Sequence, residues 1–312
     1  MRLVFCGTPD FAVPMLEAVL AAGHEVALVL TQPDRPSGRG MQMTASPVKQ
    51  AAVEHGIPVV QPARLKTNDD LRAQLEAIAP DAILVVAYGR IIPAWMLALP
   101  RYGNLNLHGS LLPKYRGAAP IQWAIARGET LTGVTTMRLD EGLDTGDMLL
   151  SRSLPVAPDE TAADVYPRLA QIGAGLMVET LAGLEAGTIE PQPQEHELAT
   201  LAPILTRDEG RVDFSRTAQE IYNRWRGFQP WPGAWSMLGT KKLIVTRMTL
   251  PLEPPGPVAE FGTLLVRGQR LFASCGGSGW IEIVELQPEG KRSMAAADFL
   301  RGAALAEGTR LG

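Results

Sequence analysis

Two cysteines, four histidines and no apolar run near the roughly 20 residues of a membrane span set the first limits on this 312-residue chain. Cys6 and Cys275 lie far apart, outside any CxxC or Cys/His grouping, so neither a disulfide framework nor a thiolate metal site is expected. His24, His55, His108 and His196 are equally scattered, and no metal is expected. The opening Arg2-Leu3-Val4-Phe5-Cys6-Gly7 is too short for a signal-peptide core and lacks a small-residue cleavage site after it. A reduced, cytoplasmic protein without membrane attachment is the expectation. The loop Gly7-Thr8-Pro9-Asp10 lacks the GxGxxG fingerprint, and neither a P-loop nor a GxSxG elbow occurs, which disfavours nicotinamide, P-loop and serine-hydrolase chemistry.

What remains is an ordinary globular composition, 46% hydrophobic and 20% charged, on a chain long enough for two domains. The net charge of −4 divides unevenly. Residues 1–206 carry 15 Lys/Arg against 22 Asp/Glu, and residues 207–312 carry 14 against 11. The second part is therefore the one suited to face a polyanion, although solvated charges often fall this way without a partner.

The first 150 residues alternate strand-like and helix-like segments, the rhythm of a mostly parallel, Rossmann-like α/β sheet. Residues 3–6 read as a buried strand, with Thr8 as N-cap and Pro9 at the first helical position of the helix that follows. Residues 25–30 and 81–88 read as further strands, and 33–47 as a long loop. Residues 103–108 form a strand with Asn104, Asn106 and His108 on one side. Helices are expected over 118–126 and 161–186, and strands over 132–139 and 148–156. A first domain over 1–188 and a linker over 189–206, rich in proline and charge, are expected. Residues 207–312 then hold a helix near 218–227 and many short strands, which suggest a smaller, OB-like β-barrel.

The chemistry-bearing residues begin with Asn106 and His108. Two apart on a strand, they share a face near its carboxyl end, where open α/β sheets place ligands. An amide donor beside an imidazole suits a developing oxyanion, although a buried histidine held by a neighbouring amide has the same pattern. Ser110 lies too close to His108 along the strand to form a Ser–His nucleophile pair. The run from Leu139 to Asp147 holds four carboxylates, without the ligand spacing of an EF-hand. One of them could orient His108; the residues alone do not say which.

The segments Asn106-x-His108-x-Ser110-Leu111-Leu112-Pro113, Tyr115-Arg116-Gly117-Ala118-Ala119-Pro120 and Gly133-Val134-Thr135 through Leu139-Asp140-x-Gly142-Leu143-Asp144-x-Gly146 resemble the folate-dependent formyltransferases. The resemblance implies catalytic roles for Asn106, His108 and Asp144, and 10-formyltetrahydrofolate as the donor. It implies that the donor is held by Ser110, Leu111, Leu112 and Pro113, and by the wall around Val86, Tyr88 and Gly89. Gly7-Thr8-Pro9-Asp10-Phe11-Ala12, Thr31-Gln32-Pro33-Asp34-Arg35-Pro36-x-Gly38-Arg39-Gly40, Ser46-Pro47-Val48-Lys49 and Phe228-x-Pro230-Trp231-Pro232-Gly233-Ala234-Trp235 are similar to the branch acting on methionyl-tRNA. That implies initiator methionyl-tRNA as acceptor and Arg35, Arg39 and Lys49 as candidate tRNA contacts; Arg224 and Arg226, which flank the Trp/Pro cluster over 225–235, are candidates for phosphate contact, and a monomer is expected. Met41-Gln42-Met43 stands where that branch commonly carries lysines, so weaker and less salt-sensitive contact is expected there. The rival acceptor is a sugar-nucleotide amine, which would use the same three residues. The Trp/Pro cluster over 225–235 is expected to pack the barrel against its helix rather than to stack bases.

Overall fold

Leu3, Val4, Phe5 and Cys6 are wholly buried, as the central strand of a parallel sheet requires, because helices cover both of its faces. The computed structural model describes residues 1–37, 42–303 and 305–312. In chain order the first elements are β1 (Arg2–Gly7), α1 (Val13–Ala21), β2 (Glu25–Leu30), β3 (Arg35–Ser37), β4 (Gln42–Thr44), α2 (Pro47–Glu54), β5 (Val59–Val60) and α3 (Asp69–Ile78). Then come β6 (Ala82–Val86), α4 (Ala94–Leu97), β7 (Asn104–His108), α5 (Pro120–Ala126), β8 (Leu131–Arg138), β9 (Met148–Pro155) and α6 (Ala162–Ala186).

The large sheet has the order β5-β2-β1-β6-β7-β8-β9. Strands β5 to β7 run parallel, whereas β8 and β9 are antiparallel additions. The chain leaves β1 toward β2 and β5, then returns to place β6 on β1's other side. The strand order therefore reverses at β1, where an open sheet of this kind leaves a crevice at the strands' carboxyl ends. Gly7 pairs with Val86, and Val85 pairs with Asn106, so the ends of β1, β6 and β7 come together there.

Two local expectations need correction. Pro9 lies at the N-cap position of a short 3-10 turn, Asp10–Ala12, without a side-chain cap, and α1 starts only at Val13. The stretch expected as a long loop contains an antiparallel ribbon, with Arg35 opposite Thr44 and Ser37 opposite Gln42. Its proline and glycines mask that pairing from a periodicity argument.

The remaining elements are α7 (Ala218–Gly227), β10 (Trp235–Leu238), β11 (Lys241–Thr249), β12 (Leu264–Arg267), β13 (Arg270–Ser274), β14 (Trp280–Pro288), β15 (Met294–Ala295) and α8 (Ala296–Gly302). Thr217 starts α7 with a full capping box to Glu220. The antiparallel order is β10-β11-β14-β13-β12, with β15 on β14. Leu243, Val245, Leu271, Ile281, Ile283 and Leu286 form its core with Ile221 and Tyr222 of α7. The outer strands do not end as open edges. Leu264 N–H donates to Thr309 O, and Gly312 exchanges bonds with Met237, so the last residues bridge β12 to β10. The sheet is thereby drawn into the barrel expected of this half.

The chain divides into two units. Unit 1 is Met1–Pro120, Leu131–Pro155 and Tyr166–Pro203; unit 2 is Ile121–Thr130, Val156–Val165 and Ile204–Gly312. Among the described residues no helix is long and apolar enough to cross a membrane, and no three His, Cys, Asp or Glu side chains group as a metal site.

Candidate functional site

Alternation along β7 sends Asn104, Asn106 and His108 to one side, and the three meet different fates. Asn104 donates to the carbonyls of Met96 and Leu97, which ties β7 to α4. Asn106 is 8% exposed, yet among the described residues its side-chain amide has no hydrogen-bond partner. A buried amide left unmatched is uncommon in a folded protein and leaves donors available to a ligand.

His108 is fixed by its own neighbours. Its Nε2 lies 2.9 Å from the carbonyl oxygen of Tyr115, which can only accept, so Nε2 carries a proton and donates. The other ring nitrogen, Nδ1, faces the Asp144 carboxylate with Oδ2 at 3.7 Å. With Nε2 committed, Nδ1 is the nitrogen that can take up or give away a proton.

Asp144 reaches this position through an unusual backbone. Its φ is +51°, a left-handed conformation rare outside glycine and Asn or Asp. Its Oδ2 accepts the Gly117 N–H at 2.8 Å. Of the four carboxylates in the run, Asp140 is turned inward on its own loop, accepting from Gly142 N–H and the Thr145 hydroxyl. Only Asp144 among them has a carboxylate within ion-pair distance of His108.

The candidate donor-holding loop is built on Thr135. The Thr135 hydroxyl donates to Ser110 O at 2.8 Å and sits 3.2 Å from Leu112 N–H, which donates to it. Ser110 is wholly buried and gives its hydroxyl proton to Lys114 O at 2.6 Å. Its side chain therefore shapes the loop and, as placed here, offers no free hydroxyl to a ligand. Beyond β6, Ala87 has a φ of +45° and Gly89 of +75°, and the Gln32 amide donates to the carbonyls of Tyr88 and Gly89. Among the described residues Gln32 Oε1 and the Tyr88 hydroxyl are buried without partners. Burial holds the Tyr88 phenol well above its ordinary range, so it stays a protonated donor.

The candidate tRNA contacts separate by environment. Arg35 is exposed on β3, and Arg39 lies outside the described residues. Lys49 is held by Asp34 Oδ2 at 2.6 Å and Gln61 Oε1 at 2.8 Å. Hydrogen bonds from the Lys49 ammonium, and next from Gln61 Nε2, keep the Asp34 carboxyl below the usual range. Arg224 pairs with Glu209 at 2.8 Å and lies over the Phe228 ring, leaving its charge largely compensated. Arg226 requires correction: it is 4% exposed, and its guanidinium donates to Glu160 O and Asn223 Oδ1. A buried group so engaged braces unit 2 and cannot reach a phosphate from this position. Within the aromatic cluster Trp225 packs against the barrel core and stacks on Tyr222, Phe228 lies edge-on to Trp123 of α5, and Trp231 stays exposed.

Gln32 and Thr135 stand in the family motifs without having been given a role, and Gln194 carried no signal in the sequence. Gln194 stood inside the stretch expected as a linker. That stretch runs along unit 1: Gln192 pairs with Met148, and Leu201 bridges to Arg116. No spacing rule marks an isolated glutamine in an irregular segment.

Two family models match, one described as "Formyl transferase" over residues 1–181 and one as "Formyl transferase, C-terminal domain" over residues 204–304. The chain is 69% identical to the methionyl-tRNA formyltransferase of Acidobacterium capsulatum, with both chains wholly covered. It is 56% identical to that of Koribacter versatilis, over 97% of this chain and 96% of that one. Among solved structures, an N-formyltransferase from Helicobacter canadensis, complexed with folinic acid and dTDP-3-aminofucose, superposes with a TM-score of 0.65 at 19% identity. The match covers 91% of this chain and 98% of that one. At that identity the likeness is one of fold.

Proposed function

The chain belongs to the methionyl-tRNA formyltransferases of the formyl transferase family, and we infer that Asn106, His108 and Asp144 carry its chemistry. That chemistry is transfer of a formyl group from 10-formyltetrahydrofolate to the α-amino group of initiator methionyl-tRNA. The donor supplies an electrophilic formyl carbon on its N10. The Asn106 amide is free to donate to the oxygen of that formyl group as negative charge develops there, the group of effects that does most in acyl transfer. His108, with Nδ1 open, adds a second donor when protonated and can exchange a proton. Asp144 orients the imidazole and helps move the proton from the attacking amine to the leaving nitrogen. The amine attacks directly, and no enzyme nucleophile is needed.

The single observation carrying this reading is the juxtaposition of an unbonded Asn106 amide with a His108 Nδ1 that faces Asp144. Gln32 Oε1, without a partner among the described residues and on the amide that donates to the Tyr88 and Gly89 carbonyls, fits a hydrogen-bonding heterocycle such as a pterin. Leu111, Leu112 and Pro113 offer the opposing wall. Unit 1, along which residues 189–203 run, holds the transfer site in this reading, 207–312 with its Arg224 is the tRNA-binding domain, and Arg35 and Arg39 are further candidate tRNA contacts. The protein works as a monomer in the cytoplasm.

The test mixes pure protein with 10-formyltetrahydrofolate and charged initiator tRNA and measures formyl-methionine. His108→Ala and Asp144→Ala should lose turnover mainly in kcat. Near-full turnover by either folded variant would sink the residue assignment. Formylation of a sugar-nucleotide amine but not of the tRNA would overturn the acceptor.

A further inference from the structure

Asp144 does not hold its own position. Its left-handed backbone lies in a loop with little regular structure, and a carboxylate on such a loop would sample many orientations unless something fixed it. The fixing group is Gln194, a side chain 5% exposed and remote in sequence. Gln194 Nε2 donates to two carbonyls that bracket the turn, Asp144 O at 2.9 Å and Gly146 O at 2.7 Å. Its Oε1 accepts from Arg116 Nε at 3.0 Å and Nη2 at 2.7 Å. All of these groups belong to unit 1.

We propose that Gln194, oriented by Arg116, is a positioning residue that holds the Asp144 loop in the conformation that presents its carboxylate to His108. This rests on the reading of Asp144 given above. The chemistry of the amide explains why glutamine stands here. One end must accept from a guanidinium while the other donates to two carbonyls at once, and only an amide does both. Arg116 is 7% exposed, and its donors go to neutral acceptors, Gln194 Oε1 and His196 Nδ1 at 3.1 Å. A cation in that setting polarises the Gln194 amide and strengthens its donation to the loop. Arg116 is itself braced: its N–H donates to Thr200 O, and its carbonyl accepts from Ala202 N–H. The next residue, Gly117, supplies the N–H that binds Asp144 Oδ2. Residues 116 and 117 thus grip the loop twice, once at the Asp144 carboxylate and once, through Gln194, at its backbone.

The experiment is a double-mutant cycle between Gln194→Glu and Asp144→Asn in the full chain. The Glu variant keeps the volume and the Arg116 partner but turns an oxygen toward two carbonyl oxygens. The expected result for Gln194→Glu is a loss in kcat of up to about a hundredfold with KM for donor and tRNA nearly unchanged, since sub-ångström misplacement acts on the transition state. In the Asp144→Asn background the same change should cost almost nothing, because its effect passes through that carboxylate. Amide hydrogen exchange over 140–147 should quicken in the Glu variant while the β7–β8 ladder stays protected. Losses that multiply in the double variant would overturn the proposal, as would an unaltered kcat. If Asp144→Asn alone left turnover intact, the failure would belong to the catalytic reading instead. Should Gln194→Glu not fold, Gln194→Met is put through the same cycle; if neither folded, Gln194 would be a folding residue and the proposal would fall.

Discussion

Gly117→Ala is the sharpest single perturbation of the site, because it adds one methyl group and removes no polar atom. Gly117 has a φ of +123°, a region closed to side chains, and a Cβ built there would lie 2.6 Å from Ala202 O. That carbonyl cannot simply retreat, since it accepts the Ala119 N–H at 3.2 Å. Backbone strain of this kind costs about 1–3 kcal/mol, and the close contact adds to it. The backbone must rotate, and the Gly117 N–H then leaves Asp144 Oδ2. A hydrogen bond to a charged group contributes about 1.5–3 kcal/mol. Loss of that contribution in the transition state corresponds to a fall in kcat of roughly ten- to a hundredfold. Urea unfolding followed by tryptophan fluorescence should show a lower midpoint, and steady-state formylation should show the loss in kcat with little change in KM. A variant with native midpoint and native turnover would refute the claim that this N–H holds Asp144.

Asn106→Ala should lower kcat by about a hundredfold or more while leaving thermal stability near native, because the amide makes no internal bond; a large drop in Tm with kcat preserved would reverse its role. Asp164 is held below the usual carboxylate range by hydrogen bonds from the Thr161 hydroxyl and N–H. Its contribution is therefore fully present above the unfolded value of about 3.9 and is lost as pH falls through the lower folded one. The stability gap between the wild type and Asp164→Asn, measured by urea unfolding, should be constant near neutrality and close below about pH 4; a pH-independent gap would contradict this. Arg35→Ala should weaken tRNA binding and reduce the salt slope by about one without altering stability. Arg226→Met should do the opposite, lowering the stability of unit 2 by about 2 kcal/mol or more with the salt slope intact. Exchange of those two outcomes would show the burial argument to be misplaced.

Much of this molecule was legible because its signals are local. Buried apolar runs marked β1 and β6 within a residue or two, and pleat alternation marked β7 and placed Asn106 and His108 together. The helix expected near 218–227 is α7, with those ends. Among the four carboxylates, however, only family resemblance pointed to Asp144, since the choice depends on a left-handed turn and a Gly117 N–H from another segment. Gln194 was invisible for the same reason: its partners are 48 to 78 residues away. Arg226 misled because a basic residue beside aromatic ones looks alike in sequence whether its charge meets solvent or backbone carbonyls. The short strand β15 and helix α8 escaped because neither is long enough to show a period.

The four residues from Thr309 to Gly312 act as the closing stave of the barrel, bonded to β12 on one side and β10 on the other. Leu311 is buried there, so the seam is hydrophobic as well as hydrogen-bonded. Trimming them would open two strand edges at once, each a template for pairing with another molecule. The segment Thr309–Gly312 is thus a safeguard against self-association, and its loss would register first as aggregation, before any loss of chemistry in unit 1.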